Sequence, residues 1–151
     1  MKTLLFVCIH NAGRSQMAEA FVNHLARERG LSVRAESAGT EGGASLNPAA
    51  VAVMAEVGIS MDGQAPKLLT QSMADGADRL ITMGCGVDAE SCPAKVYFTD
   101  DWGLDDPKGQ PLEKVRAIRD LIEEKVNVLL ESLTPGPSLA STRCAGERGE
   151  F

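Results

Sequence analysis

"TLLFVCIHNAGRSQMAEAFVNHLARERG", residues 3–30, changes its periodicity in the middle. Residues 3–8, TLLFVC, form an unbroken apolar run of the kind that fills a strand covered on both faces. From Ser15 onward Met17, Ala18, Phe21, Val22 and Leu25 recur at helical spacing, and Gly30 supplies the left-handed residue that ends a helix. A buried strand, a short loop and an amphipathic helix open a βαβ unit, and such units build a parallel sheet.

The rest of the chain repeats the alternation. LSVRAES, residues 31–37, predicts a second strand, followed by the glycine-rich loop GTEGGAS. Asn47 before Pro48 predicts a capped helix reaching Gly58, and Thr70 caps a short helix through Met73 and Ala74. RLITMG, residues 79–84, and KVYFTD, residues 95–100, read as the third and fourth strands. A last helix is expected from Leu112 to Leu133, with Val115, Ile118, Ile122, Val126 and Leu129 on one face. The reading is one α/β domain over residues 1–134, with a flexible tail over 135–151.

Composition narrows the function classes. The 151 residues carry a net charge of −6, so no basic surface is available for nucleic acid or an anionic membrane. No stretch approaches the ~18 apolar residues of a membrane span, and the N-terminal run is not followed by a cleavage site. The expectation is a cytoplasmic protein whose cysteines, Cys8, Cys85, Cys92 and Cys144, are reduced and available for chemistry.

In open α/β sheets ligands sit at the carboxyl ends of the strands, and Cys8, Cys85 and Asp100 all lie at or just past such ends. Five residues separate Cys8 from Arg14. Between a strand and a helix, the loop Cys8, Ile9, His10, Asn11, Ala12, Gly13, Arg14 can curl its N–H groups inward as a nest for a tetrahedral oxyanion. Asn11 and Gly13 are expected to take the unusual backbone angles, and Arg14 offers a planar fork for two oxygens. The same field favours the Cys8 thiolate, which stands behind the bound anion as a nucleophile. Asp106, held extended by Pro107, is the carboxyl that would reach over the site as a general acid, ahead of Asp100, Asp101 and Asp105.

Cys85 and Cys92 have six residues between them, which fits neither a zinc site nor a Cys-x-x-Cys redox motif. A loop over that length lets two thiols meet within the ~7 Å between Cα atoms that a disulfide needs. A thiolate beside an oxidised Cys8 can attack its sulfur, and a third thiol can carry the disulfide outward by exchange. The alternative is that both are packing residues. Cys144, in the tail, has no assigned role.

Together CIHNAGRSQMAEA, SAGT with NPAA, the Cys85 and Cys92 pair and WGLDDP resemble the thioredoxin-coupled arsenate reductases, which share the low-molecular-weight protein tyrosine phosphatase fold. The resemblance covers about residues 3–133 and implies a four-stranded parallel sheet of order 2-1-3-4. It implies that Cys8 attacks arsenate held by the loop and Arg14, with Ser15 stabilising the thiolate and Asp106 as the acid. Cys85 would then attack Cys8 and release arsenite. Cys92 would attack Cys85, and thioredoxin would reduce the resulting disulfide, without any metal or organic cofactor. A monomer is expected.

Two departures stand out. Many members have glycine where this chain has His10 and cysteine where it has Gly13, and the HNAG form is similar to relatives served by low-molecular-weight thiols, so the electron donor stays open between these and thioredoxin. Some members bind potassium through groups matching Asn11, Glu19 and Ser37 and an aspartate where this chain has Lys67, whose ammonium is expected to replace the ion. Lys67 as a solvated surface residue is the alternative. His10 and His24 are read as ordinary polar residues of a turn and a helix. The rival enzyme is a phosphatase acting on phosphotyrosine or small phosphate esters. A further rival is an oxyanion-binding or redox-sensing module.

Overall fold

A computed structural model describes residues 2–41, 43, 45–83 and 100–133. In chain order the elements are β1 (Lys2–Cys8), α1 (Arg14–Arg29), β2 (Val33–Gly39), α2 (Pro48–Glu56), α3 (Gln71–Gly76), β3 (Arg79–Thr82), β4 (Asp100–Asp101) and α4 (Leu112–Leu133). The strands form one parallel sheet of order β2-β1-β3-β4, as expected. β1 is central, which is why its sequence is apolar on both faces.

Alternation along β1 divides the core in two. Leu4, Phe6 and Cys8 pack with Met17, Phe21 and Val22 of α1, Val53 and Met54 of α2, and Val115, Ile118, Ile122 and Val126 of α4. Leu5 and Val7 point the other way, to Ala38, Leu69 and Leu80, bordered by Met73 and Ala74 of α3. Each such buried Leu, Val or Phe side chain contributes about 1.5–3 kcal/mol relative to an exposed one. Cys8 therefore ends the strand on the face shared with α1 and α4. No helix among the described residues is long and apolar enough to cross a membrane.

Several boundaries differ from expectation. β2 lies two residues later than 31–37, because Leu31 belongs to the end of α1, where its N–H bonds Ala26 O beside the left-handed Gly30. At its far end the strand runs on through Ala38 and Gly39, which pair with Val7 and Cys8. β3 stops at Thr82 rather than residue 84. Of the expected fourth strand only Asp100 is described, and pairing continues to Asp101, opposite Thr82. Residues 95–99, the tail beyond Leu133, and Cys85, Cys92 and Cys144 lie outside the described residues.

Two cappings match the sequence reading. Asn47 Oδ1 accepts from Ala49 N at 2.9 Å with Pro48 in the first turn of α2, and Thr70 Oγ1 accepts from Met73 N at 3.2 Å. α1 has no side-chain cap and no acidic residue in its first turn. Its amino end opens directly onto the loop after β1.

Candidate active site

The loop from Cys8 to Arg14 is shaped by where its carbonyls go. Thr40 N donates to Cys8 O at 3.0 Å, Glu41 N to Ile9 O at 2.8 Å and Asn47 N to Ala12 O at 2.8 Å, so these oxygens face outward to the loop after β2. Among the described residues, the N–H groups of His10, Ala12, Gly13, Arg14 and Ser15 have no hydrogen-bond partner. With the carbonyls turned out, those N–H groups line the inner edge of the curl, the pattern that cradles an oxyanion. Asn11, fully buried at φ 56°, makes the left-handed step that closes it.

Gly13 takes the unusual backbone angles expected of it, φ −134° and ψ −88°, outside both the helical and the extended regions. A β-carbon there would meet Pro107 Cγ at 3.0 Å, so the missing side chain lets the Asp106–Pro107 turn close over the loop. Gly39 is tighter still. A β-carbon would lie 2.5 Å from Ile9 O and 3.1 Å from Asn11 N, so the end of β2 seats against the curl only as glycine.

At the floor of the curl the Cys8 sulfur receives hydrogen bonds. Asn11 N donates to Cys8 Sγ at 3.1 Å, and Cys8 Sγ and Ser15 Oγ are 2.9 Å apart. The direction of the second contact follows from its neighbours. Lys67 N, which can only donate, lies 2.9 Å from Asn11 Oδ1, which places Nδ2 toward Ser15 Oγ at 2.8 Å. The Ser15 oxygen accepts that bond, and its hydroxyl proton is left for the sulfur. Two donors on one sulfur favour the thiolate over the thiol.

Arg14 is buried and fastened from the side. Its Nη1 donates to Leu104 O at 2.7 Å and Met83 O at 3.3 Å, while Nη2 stands 3.9 Å from Asp106 Oδ2. The Leu104 carbonyl is itself fixed, because Trp102 is buried against Phe6, ring centroids 5.3 Å apart, and Trp102 N and Leu104 N continue the pairing to Thr82 O and Met83 O. Beyond this anchor the chain turns outward into Asp105 and Asp106.

The two carboxylates are distinguished by their partners. Asp105 Oδ2 accepts from Lys114 Nζ at 2.7 Å, and that bond, with the lysine charge, holds the Asp105 carboxyl below the usual carboxylate range. Asp106 accepts from Lys108 N at 3.0 Å through Oδ1, which leaves Oδ2 toward Arg14, and its side chain is 61% exposed. Asp106 is thus the carboxyl at the edge of the curl, open to water. Asp100 and Asp101 are engaged elsewhere, Asp100 Oδ1 with Asp101 N and Asp101 Oδ1 with Thr82 Oγ1, and neither lines the cleft.

The cleft above Cys8 has a volume of about 860 Å³. The whole loop from Cys8 to Arg14 lines it, His10 included, with Leu46, Asn47 and Pro48 on one side and Leu104 to Gly109 on the other. His24 is remote, paired with Glu28 at 3.3 Å on α1. Behind the curl, Ser37 Oγ donates to Glu19 Oε1 at 2.7 Å, and Lys67 Nζ lies 3.6 Å from the same oxygen, so Asn11, Glu19, Ser37 and Lys67 do gather. No cluster of three or more His, Cys, Asp or Glu suited to a metal occurs among the described residues.

Sequence reasoning missed the carbonyls that hold Arg14 and the glutamine behind Asn11. Backbone acceptors leave no residue signature. Gln16 did leave one, a long polar side chain next to the apolar helix positions Met17 and Ala18.

The geometry agrees with what related proteins are. A putative arsenate reductase of Halobacterium salinarum is 38% identical over 135 residues, covering 86% of this chain and 92% of that protein. A glutaredoxin arsenate reductase of Synechocystis sp. is 36% identical, covering 89% and 100%. Among solved structures, an arsenate reductase in the phosphate binding state superposes with a TM-score of 0.74 at 36% identity, covering 89% of this chain and 100% of that one. A low molecular weight protein tyrosine phosphatase from T. tengcongensis gives 0.78 at 28% identity, covering 88% and 100%. A thioredoxin-dependent arsenate reductase of Corynebacterium glutamicum gives 0.69 at 35%, covering 87% of this chain and 61% of that one. The model of one family matches residues 3–136, and with the oxyanion curl, the sulfur and the arginine it carries, this chain belongs to the low molecular weight phosphotyrosine protein phosphatase family.

Proposed function

We propose that this protein reduces arsenate to arsenite, with Cys8 as nucleophile and Cys85 and Cys92 as the thiols that supply two electrons. The observation that carries the chemistry is the pair of donors, Asn11 N and Ser15 Oγ, on the Cys8 sulfur at the floor of a curl closed by Arg14. The choice of arsenate is supported by the names of the relatives at 36–38% identity and by the cysteine pair, which a phosphatase does not need.

Arsenate binds with its oxygens on the inward N–H groups and the free edge of the Arg14 guanidinium. The Cys8 thiolate forms a bond to arsenic, and one arsenate oxygen leaves as water after Asp106 gives it a proton. Cys85 thiolate then attacks the Cys8 sulfur. The electron pair of the sulfur–arsenic bond passes to arsenic, which leaves as arsenite, and a Cys8–Cys85 disulfide remains. Cys92 attacks Cys85, frees the Cys8 thiolate and moves the disulfide outward. A dithiol donor of the thioredoxin class returns the two electrons, a choice supported by the name of the Corynebacterium glutamicum neighbour. A monomer in a reducing compartment suits this cycle, because its three thiols must start reduced.

Lys67 belongs to the same reading. Its ammonium beside the Glu19 carboxylate supplies the positive charge that a monovalent cation would otherwise bring behind Asn11. Reduction that does not depend on potassium is proposed on that ground.

The test is peptide mass spectrometry of the fully reduced protein exposed to arsenate without reductant and quenched by alkylation, with phosphate as control. The expected result is a Cys85–Cys92 bridge formed only with arsenate, with one arsenite per bridge. Four alkylated cysteines in a protein that cleaves a phosphate ester would overturn the relay in favour of a phosphatase. That second reading is favoured by the shared curl, which stabilises a phosphoryl transition state as well.

A further inference from the structure

We infer that Gln16 is a positioning residue for the Cys8 nucleophile, acting through Asn11 and Ser15. The inference rests on the proposed role of Cys8 and adds an outer brace to it. Gln16 is fully buried on the first turn of α1 and does not touch the sulfur. The two hydrogens of its Nε2 are shared among three acceptors, Ala65 O at 2.9 Å, Asn11 O at 3.1 Å and Asn11 Oδ1 at 2.9 Å. Two of these acceptors are backbone carbonyls, which can only accept, so the amide orientation is fixed. Its Oε1 accepts from Gln64 Nε2 at 2.6 Å, and Gln64 Nε2 also approaches Gln16 O at 3.2 Å.

The consequence is a chain of hydrogen bonds with one polarity. Gln16 donates to Asn11 Oδ1, Asn11 Nδ2 donates to Ser15 Oγ, and Ser15 is left to donate to Cys8 Sγ. Gln16 also holds the Asn11 carbonyl, and so the left-handed turn at φ 56° that aims Asn11 N at the sulfur. Both donors on the sulfur therefore depend on Asn11, which Gln16 holds at its backbone carbonyl and, together with the Lys67 N–H, at its side-chain oxygen. Charge-stabilising hydrogen bonds act at full strength when their donors are held in place before the reaction and not recruited during it.

Among the described residues, the titratable and charged groups around the cleft are His10, Arg14, Asp105, Asp106 and Lys108, with Glu19 and Lys67 behind the curl. None is altered by substituting Gln16, so a changed reactivity of Cys8 reports the donor chain. Gln16→Met keeps the length and volume and removes every bond of the amide.

The experiment is the rate of Cys8 alkylation by iodoacetamide against pH, read on the Cys8 peptide by mass spectrometry in the full chain, with no arsenate present. In Q16M the rate at neutral pH is expected to fall about tenfold, with its pH profile displaced toward higher pH and the melting temperature changed little. Arsenate turnover, measured separately, should lose kcat in the same proportion while KM holds within about twofold. A wild-type alkylation profile in folded Q16M overturns the inference and reduces Gln16 to packing. If Q16M does not fold, the half-buried Gln64→Met decides. It releases the outer end of Gln16, and an alkylation rate reduced about threefold supports the inference, whereas an unchanged rate overturns it. Because alkylation needs no arsenate, a failure of the reductase reading leaves this test intact.

Discussion

Pro107 Cγ stands 3.0 Å from the position a β-carbon on Gly13 would take. The contact joins the two halves of the site, the curl after β1 and the turn that carries Asp106. A side chain at residue 13 must push the buried Pro107 outward, and Asp106 moves with it. Gly13→Val is therefore expected to lower kcat for arsenate about tenfold while inorganic phosphate still competes with near wild-type affinity. Equal losses in kcat and phosphate affinity would show that the curl itself, and not the turn, had been displaced.

Asp106 and Asp105 are neighbours with opposite expected roles. Asp106→Asn removes the carboxyl at the Arg14 edge and should reduce kcat by about 10²–10³ with little change in KM. Asp105→Asn removes the partner of Lys114 on the outer side of the turn and should cost about twofold or less. Steady-state kinetics of the two variants, side by side, test the assignment. A larger loss in D105N would move the acid by one residue.

Arg14 differs from a simple positive charge because Leu104 O and Met83 O fasten one of its two amino groups and leave the rest of the fork to the anion. Lysine cannot serve both carbonyls and a bidentate anion at once. Arg14→Lys is expected to lose about 10²–10³ in kcat/KM, and phosphate inhibition should weaken in parallel. Retained phosphate affinity in R14K would mean that the backbone N–H groups hold the anion unaided.

A carboxylate far from the site contributes to stability above the acid range. The hydrogen bond from Arg116, opposed by some desolvation and aided by that residue's charge and by Arg119, holds the Glu56 carboxyl below its ordinary value. A lowered folded value means that the stabilisation is complete above the ordinary carboxylate range and is lost as pH falls through the lowered one. Arg119, with a side chain 10% exposed, also donates to Val53 O, so this cluster ties α2 to α4. Glu56→Gln should melt at a lower temperature than wild type at neutral pH, and the gap should close as pH falls below the ordinary carboxylate range. Thermal unfolding across pH checks this, and a gap independent of pH would exclude charge as its cause.

The sequence made the fold readable because β1 and α1 carry opposite periodicities across one short loop, and only a parallel sheet covered on both faces accommodates both. The caps Asn47 and Thr70 were legible for the same reason, since a cap is a local device of a few residues. Strand ends were less so. β2 ends in Ala38 and Gly39, which are small because the curl sits against them, and small residues look like loop. The sulfur, the arginine and Asp106 could be assigned from residue type and neighbours. The polarity of the donor chain could not, because it depends on the Lys67 backbone and Ala65 carbonyl meeting side chains about fifty positions earlier.

Lys67 offers a prediction in which a residue and an ion exchange places. Its Nζ lies 3.6 Å from Glu19 Oε1, the oxygen that also accepts from Ser37, and its backbone N–H holds Asn11 Oδ1. The backbone bond survives any substitution at residue 67, whereas the ammonium does not. Lys67→Asp therefore leaves Asn11 oriented but sets two carboxylates, the introduced one and that of Glu19, side by side behind the curl. Their repulsion should lower activity in sodium, and a bound potassium ion, taking oxygens from both with Ser37, should restore it. The proposal expects wild-type rates in potassium and sodium at equal ionic strength to agree within about twofold, and K67D to be at least about fivefold faster in potassium. Strong potassium activation of the wild type would show that the ammonium does not act in place of the ion, and K67D indifferent to both salts would show that Glu19 and Ser37 are not a cation site at all.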